Sequence, residues 1–263
     1  MVRKGYKNTE IGEIPQDWNL EKLSEIISEP IINGAFIAKD STGHAVPFIN
    51  VTDIYQNVVV QTNKLPMVYV SLEDIKRYDV AEEDVIFNRS SLVPSGVGWA
   101  CLINKLNSNV IFDCHLMRVR VKREKIYPLF LTYFCISHYG RKHFTKVAKT
   151  TALTTIGQGD LAELLVPIPP LPEQQKIADI LSTLDEKVDQ NEQLINKMQE
   201  IRKGLMQSLL TKGIVHKQFI KTELGEIPVK WELKKLDAIC KKNTIGLVKT
   251  MTKYYVDEGV PLI

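Results

Sequence analysis

Residues 166–212 read VPIPPLPEQQKIADILSTLDEKVDQNEQLINKMQEIRKGLMQSLLTK, and this stretch decides the architecture. Pro172 suits a helix start, where its missing N–H costs nothing, and Glu173 suits the positive end of the helix dipole. No proline follows until Pro228, and Lys212-Gly213 supplies a stop, so the spacing predicts one helix over 172–212. Its apolar residues are Ile177, Leu181, Leu184, Val188, Ile195, Met198, Leu205 and Leu209. They alternate by four and three, with Asn191 and Arg202 taking the two remaining places. This is a heptad seam of about five heptads, widened by Ile180, Leu194 and Ile201. From Pro172 to Leu210 such a helix is about 58 Å long at ~1.5 Å per residue. It is too long to bury its stripe on a domain the size of the preceding segment, so it calls for a partner helix. Asn191 on the seam would fix register and partner at some cost in stability.

Working outward, residues 1–165 read as a mixed α/β domain, which makes the chain α+β overall. Strands are expected at Val46–Val51, Val58–Thr62, Val85–Asn88, Val97–Ile103, Val110–Phe112 and Leu116–Val121, separated by Gly, Asn and Pro signals. Tyr127–His143 reads as a helix with Pro128 at its start, Thr150–Asp160 as a Thr/Gly-rich loop, and 166–171 as a stiff proline-rich connector.

The chain also repeats itself. Residues 6–23 (YKNTEIGEIPQDWNLEKL) and 219–236 (FIKTELGEIPVKWELKKL) are identical at ten of eighteen positions. Val46-Pro47-Phe48-Ile49 is answered by Val260-Pro261-Leu262-Ile263. A tandem duplication with a period near 213 residues is expected, with 213–263 the truncated beginning of a second copy. Gly-Glu-Ile-Pro is turn chemistry, and Trp18 with its following leucines reads as a docking element rather than a ligand contact.

Net charge is only +3, but it is unevenly spread. Residues 1–84 carry 8 Lys/Arg against 14 Asp/Glu, whereas 85–159 carry 11 Lys/Arg against Asp113 and Glu124 alone. Two knots dominate, at Arg118–Lys125 and at Arg141, Lys142, His143, Lys146 and Lys149. A surface of this sign attracts a polyanion. The sequence lacks an 18-residue apolar run and an apolar signal core near its start, so a soluble cytoplasmic protein without membrane partners is expected. Four cysteines make no disulfide framework in a chain this long. Cys135-x-x-His138 and Cys114-His115 raise zinc, but without a Cys-x-x-Cys knuckle core cysteine is the better reading and no metal is expected. No phosphate loop, dinucleotide fingerprint, amino-methyltransferase site or nuclease constellation is present, so no catalytic residue is assigned.

The order TEIGEIP-x-x-W, DVIFNRSS, PIPPLPEQQKIADIL and a second TELGEIP-x-x-W resembles the specificity (S, HsdS) subunit of Type I restriction–modification systems. The resemblance implies a target-recognition domain at 1–165, a spacer and dimerisation helix at 172–212, and the start of a second recognition domain from 213. It implies a non-catalytic subunit that reads one half of a split site on double-stranded DNA, docks methyltransferase (M) subunits on its helix and is joined by restriction (R) subunits. No cofactor is expected on this chain; S-adenosylmethionine, ATP and Mg belong to the partner subunits. Self-association through Ile177, Leu181, Leu184, Val188, Asn191, Ile195, Met198, Leu205 and Leu209 is expected to supply the second half-site. The expected DNA contacts are Asn88, Arg89, Ser90 and Ser91 at a strand–loop junction, Thr150, Thr151 and Thr154 in the polar loop, and the cations Arg141, Lys142, Lys146 and Lys149. Arginine suits guanine O6/N7 and asparagine suits adenine N6/N7, while the 118–125 and 141–149 clusters are expected on phosphates. A coiled-coil scaffold, or a truncated subunit without base reading of its own, is the alternative.

Overall fold

The computed structural model describes residues 3–38, 41–55 and 57–240. These fall into two compact units, one ending at Val188 and the other beginning at Asp189.

The first unit is built on a four-stranded antiparallel sheet in the order Ile32–Asn33, Leu116–Val119, Val85–Asn88, Ala100–Leu102. Its two central strands are buried at every position, the polar Asn88 and Arg118 included, because layers cover both faces of the sheet. Val85, Phe87, Met117 and Val119 pack on Phe130, Leu131 and Phe144 from the helical side. Ile86, Cys101 and Leu116 point the other way, onto Ile49, Ile54 and Phe112. There a second sheet joins Ile111–Phe112, His44–Ile49 and Met67–Val70, the first pair parallel and the second antiparallel.

Several expected elements differ. Val58–Thr62 is not a strand; it is tied to the sheet by one bridge, Val59 to Leu102, and then turns into a 3-10 helix at Thr62–Lys64. The expected helix over 127–143 is two helices, Pro128–Ile136 and His138–Val147, broken at Ser137. Ser137 is extended there, and its hydroxyl donates to the Phe134 carbonyl at 2.6 Å, a local bond that competes with helix continuation. The expected loop at 150–160 contains a short hairpin, Lys149–Thr150 with Thr154–Thr155, and a helix at Gln158–Ala162. The proline-rich stretch at 166–171 is not a free connector. Leu165–Ile168 pairs antiparallel with Asn19–Lys22, which welds the two ends of this unit together.

The long helix runs Leu171–Lys212, about 63 Å at ~1.5 Å per residue. Its first turns are bound to the first unit. Trp18 Nε1 donates to Glu173 Oε2 at 3.1 Å, so the repeated tryptophan does dock. Gln174 is fully buried, accepts from the Tyr127 amide and donates to the Lys125 and Pro169 carbonyls. Ala178 is buried and Ile177 packs on the same core.

In the second unit the helix ends at Gly213 (φ +66), whose N–H bonds the Leu209 carbonyl. A hairpin follows, Phe219–Thr222 with Gly225–Pro228. It reproduces the first unit's Tyr6–Thr9 and Gly12–Pro15 hairpin pair for pair. Gly12 and Gly225 sit at φ +111 and +106, and Thr9 and Thr222 each donate to the glycine carbonyl at 2.7 Å. The answering segment at Val260–Ile263 lies outside the described residues.

Candidate functional site

The strand Val85–Asn88 leaves the central sheet and continues as Ser90–Ser91, which pairs with Thr154–Thr155, which pairs in turn with Lys149–Thr150. Two rows therefore cross this small sheet, Ser90–Thr155–Lys149 and Ser91–Thr154–Thr150. The structure thus brings together Arg89, Ser90, Ser91, Lys149, Thr150, Thr151 and Thr154, which lie some sixty residues apart in the chain. Lys149, Thr150 and Thr151 are exposed, whereas Thr154 is buried, its hydroxyl 3.1 Å from that of Thr150.

Asn88 does not belong to this exposed set. It is completely buried; its amide donates to the Tyr55 hydroxyl and, at 3.1 Å, to the Gly96 carbonyl, while its Oδ1 accepts from the Ser90 amide. Tyr55 donates to the same carbonyl at 2.8 Å. Both Asn88 amide protons are spent inside the loop at 90–97, and the side chain is completely buried, so the donor that adenine N7 requires is not offered to solvent. Arg89 is half-buried, forms no ion pair among the described residues, and keeps its Nε buried without a hydrogen-bond partner. Its charge acts on the neighbouring Cys114 thiol, whose pKa is nonetheless raised by burial and by Asp113.

Of the cations on the His138–Val147 helix, Arg141 is structural. It donates to the Ser95 carbonyl at 2.7 Å, stacks near Trp99 and Phe144, and burial lowers its pKa. Lys142 and Lys146 are exposed and unpaired among the described residues, but they line a different cleft with Glu10, Ile11 and Tyr139. Of the four cations expected at 141–149, Lys149 is the one placed in the serine–threonine sheet, where Arg89 also lies.

Most of the first basic knot is paired with carboxylates of its own domain. Arg118 reaches Asp79 at 2.6 Å and Glu29 at 3.1 Å. Arg120 reaches Asp84 at 2.7 Å and Glu29 at 2.9 Å, and these carboxylates raise its pKa further. Arg123 pairs with Glu83, Lys125 with Glu21, and Lys122 donates to the Glu25 carbonyl. The acidic excess of residues 1–84 is thus spent on the basic knot, an internal match between segments up to 104 residues apart. A charge run in sequence cannot reveal which opposite charges fold against it.

Missed from the sequence was a groove of about 650 Å³ beside the Ser90–Ser91 strand, walled by Tyr55, Trp99, His115 and Leu153. Tyr55 and Trp99 come from segments with no motif, so no local signal pointed to it. Asp113 Oδ1 lies 2.8 Å from His115 Nδ1 and accepts from the His115 backbone N–H at 2.7 Å, which fixes the ring at the edge of this groove. Cys135 and Cys101 are core cysteines, but Cys114 is half-buried in the 113–115 turn. Asp113, Cys114 and His115 hold their ligand atoms within 4.8 Å of one another, a spacing their adjacency in one turn already explains.

On the long helix, Ile177 and Leu181 are half-buried on the first unit, so they are only partly available to a partner. From Leu184 (56% exposed) through Val188, Asn191, Ile195, Met198 and Leu205 to Leu209 (46%) the seam is uncovered. Among the described residues no helix is long and apolar enough to cross a membrane.

Comparison with known proteins agrees with this architecture. The protein assigned as the MjaX type I restriction enzyme specificity subunit of Methanocaldococcus jannaschii is 31% identical over 265 residues, covering 99% of this chain and 62% of that protein. The EcoKI specificity subunit of Escherichia coli (strain K12) is 24% identical over 88% of this chain and 48% of its own length. The chain therefore spans about half to three fifths of the curated relatives it matches. A chain solved in a study of complex assembly of the type I R-M system shares the fold at TM-score 0.56 and 18% identity, over 78% of this chain and 47% of that one. The HsdS subunit from Thermoanaerobacter tengcongensis does so at TM-score 0.52 and 16%, with the same coverage. These relatives are named as specificity subunits of type I restriction enzymes. The Type I restriction modification DNA specificity domain matches residues 15–200, and the chain belongs to that family.

Proposed function

We propose that the first unit reads one half of a split target on double-stranded DNA through the Arg89–Ser91 and Lys149–Thr154 sheet, and that two chains pair along the exposed half of the long helix. The observation that carries the recognition reading is the convergence of these distant polar residues on one edge, together with a lysine and an arginine that form no ion pair among the described residues. Lys149 would hold a phosphate and set register, while Arg89, Ser90, Thr150 and Thr151 meet base edges. Asn88 and Arg141 act as positioning residues beneath them, and Lys142 and Lys146 serve a separate stretch of backbone or a partner subunit.

The pairing is supported by the seam itself. Apolar side chains at heptad spacing and half exposed over about 25 residues are stable in water only when another helix covers them. Two identical domains then face an inverted-repeat target with an unread spacer, and the ~63 Å helix exceeds the ~34–36 Å of one DNA turn that separates adjacent half-sites. Methyltransferase subunits would grip the same helix bundle and restriction subunits join them, with S-adenosylmethionine, ATP and Mg bound by those partners.

The test is to purify the chain with its methyltransferase subunit and map the methylated positions in cellular DNA. A split palindromic sequence and a two-to-one mass relation in ultracentrifugation are expected. A chain that assembles with the methyltransferase but protects no defined sequence would be a scaffold, and a strict monomer at micromolar concentration would end the pairing.

A further inference from the structure

Resting on the DNA-reading proposal and extending it, we propose that the loop Leu92–Ser95 recognises the 5-methyl group of a thymine by apolar contact. Part of this domain's specificity would then be read without hydrogen bonds. Leu92 is 85% exposed and Val93 54% exposed at the tip of the loop that follows the Ser90–Ser91 strand. A slack loop would fold such side chains inward, because burying a leucine is worth about 1.5–3 kcal/mol. This loop is not slack. Asn88 and Tyr55 both donate to the Gly96 carbonyl, Ser91 Oγ accepts from the Val93 amide at 3.2 Å, and Arg141 holds the Ser95 carbonyl. A Cβ on Gly96 would stand 2.1 Å from Ser91 Oγ, so the loop closes this tightly only around glycine.

The surroundings identify the partner. Behind the tip lies the 650 Å³ groove, whose walls combine apolar faces of Trp99 and Leu153 with the polar atoms of Ser90, Ser91 and His115. One residue pair across the sheet from Ser90 and Thr155 stands Lys149, exposed and without an ion pair among the described residues. An apolar protein partner would leave that lysine with nothing to neutralise. A duplex presents phosphates on the outside, donors and acceptors on the base edges, and one apolar group in the major groove, the thymine methyl.

Once the target is mapped, the chain–methyltransferase complex is titrated with duplexes in which each target thymine is replaced singly by deoxyuridine, which removes only that methyl. Wild type is expected to lose about fourfold in affinity at one thymine, the worth of one buried methyl. Leu92→Ala is expected to bind the thymine and uracil duplexes alike, and Val93→Ala to show a smaller preference than wild type. Lys149→Ala is expected to weaken both duplexes equally. Both loop positions are exposed, so their substitution leaves folding unchanged, and assembly with the methyltransferase is measured alongside and expected to be unchanged. The proposal is overturned if wild type tolerates uracil at every position, if Leu92→Ala keeps the thymine preference, or if Leu92→Ala loosens the methyltransferase instead. Loss of all sequence-specific binding by wild type would sink the DNA-reading proposal itself, a result distinct from specific but methyl-blind binding.

Discussion

Replacing Asn88 by alanine separates the base-reading role that its sequence context suggests from a structural one. If Asn88 read adenine, Asn88→Ala would cost affinity for one base and leave the fold alone. The structure predicts the reverse. The side chain is completely buried, and truncation removes its two donated bonds and the acceptor for the Ser90 amide. Gly96 keeps the Tyr55 hydroxyl, so its carbonyl stays satisfied. The Ser90 N–H does not, and an orphaned donor costs roughly 1–3 kcal/mol, to which the vacated amide volume adds a smaller amount. A loss of about 2–3 kcal/mol is expected, which lowers the melting midpoint of a domain this size by roughly 5–10 °C. Urea denaturation followed by tryptophan fluorescence reports it directly, since Trp99 lies 5.8 Å from the Tyr55 ring. Asn88→Asp should be worse, because it keeps the acceptor but sets a carboxylate against the Gly96 carbonyl. An Asn88→Ala protein with the wild-type midpoint, altered only in base preference, would refute the reasoning.

Arg120→Met should destabilise by about 3–5 kcal/mol by leaving the fully buried Asp84 without its guanidinium, yet leave the salt dependence of DNA binding unchanged. Lys149→Ala should do the opposite, reducing the salt slope by about one with no change in the urea midpoint. Ile195→Ala should weaken chain pairing about thirtyfold, because the residue is 54% exposed and a two-fold pair covers it twice, about 2 kcal/mol together; sedimentation equilibrium would show this while the circular dichroism stays unchanged. Burial pushes the Cys101 thiol up from 9 to about 12, so the folded state holds a proton that the unfolded state gives up above pH 9. Its contribution is intact below pH 9 and is lost as pH rises towards 12, at up to ~1.4 kcal/mol per pH unit. Cys101→Ala should flatten the alkaline limb of the stability curve measured between pH 8 and 11, and an unchanged limb would contradict the assignment.

Whatever depends on near neighbours in the chain could be read without coordinates. The heptad spacing from Ile177 to Leu209 demands a helix because periodicity is a property of consecutive residues, and the helix found starts one residue before Pro172. The two Gly-Glu-Ile-Pro copies fold as matching hairpins because turn chemistry is local. Burial and charge pairing are not local. Asn88 is held by Tyr55 and Gly96, and Arg118 and Arg120 by Glu29, Asp79 and Asp84, partners that no run of neighbouring residues displays. Conversely, Lys149 and the threonines met Ser90 and Ser91 only through strand pairing across some sixty residues. Coulomb attraction and desolvation act through space, whereas periodicity acts along the backbone. The amino-acid order therefore sufficed for the helix, the repeated hairpin and the class of protein, and folding in three dimensions chose which of its polar groups remain exposed.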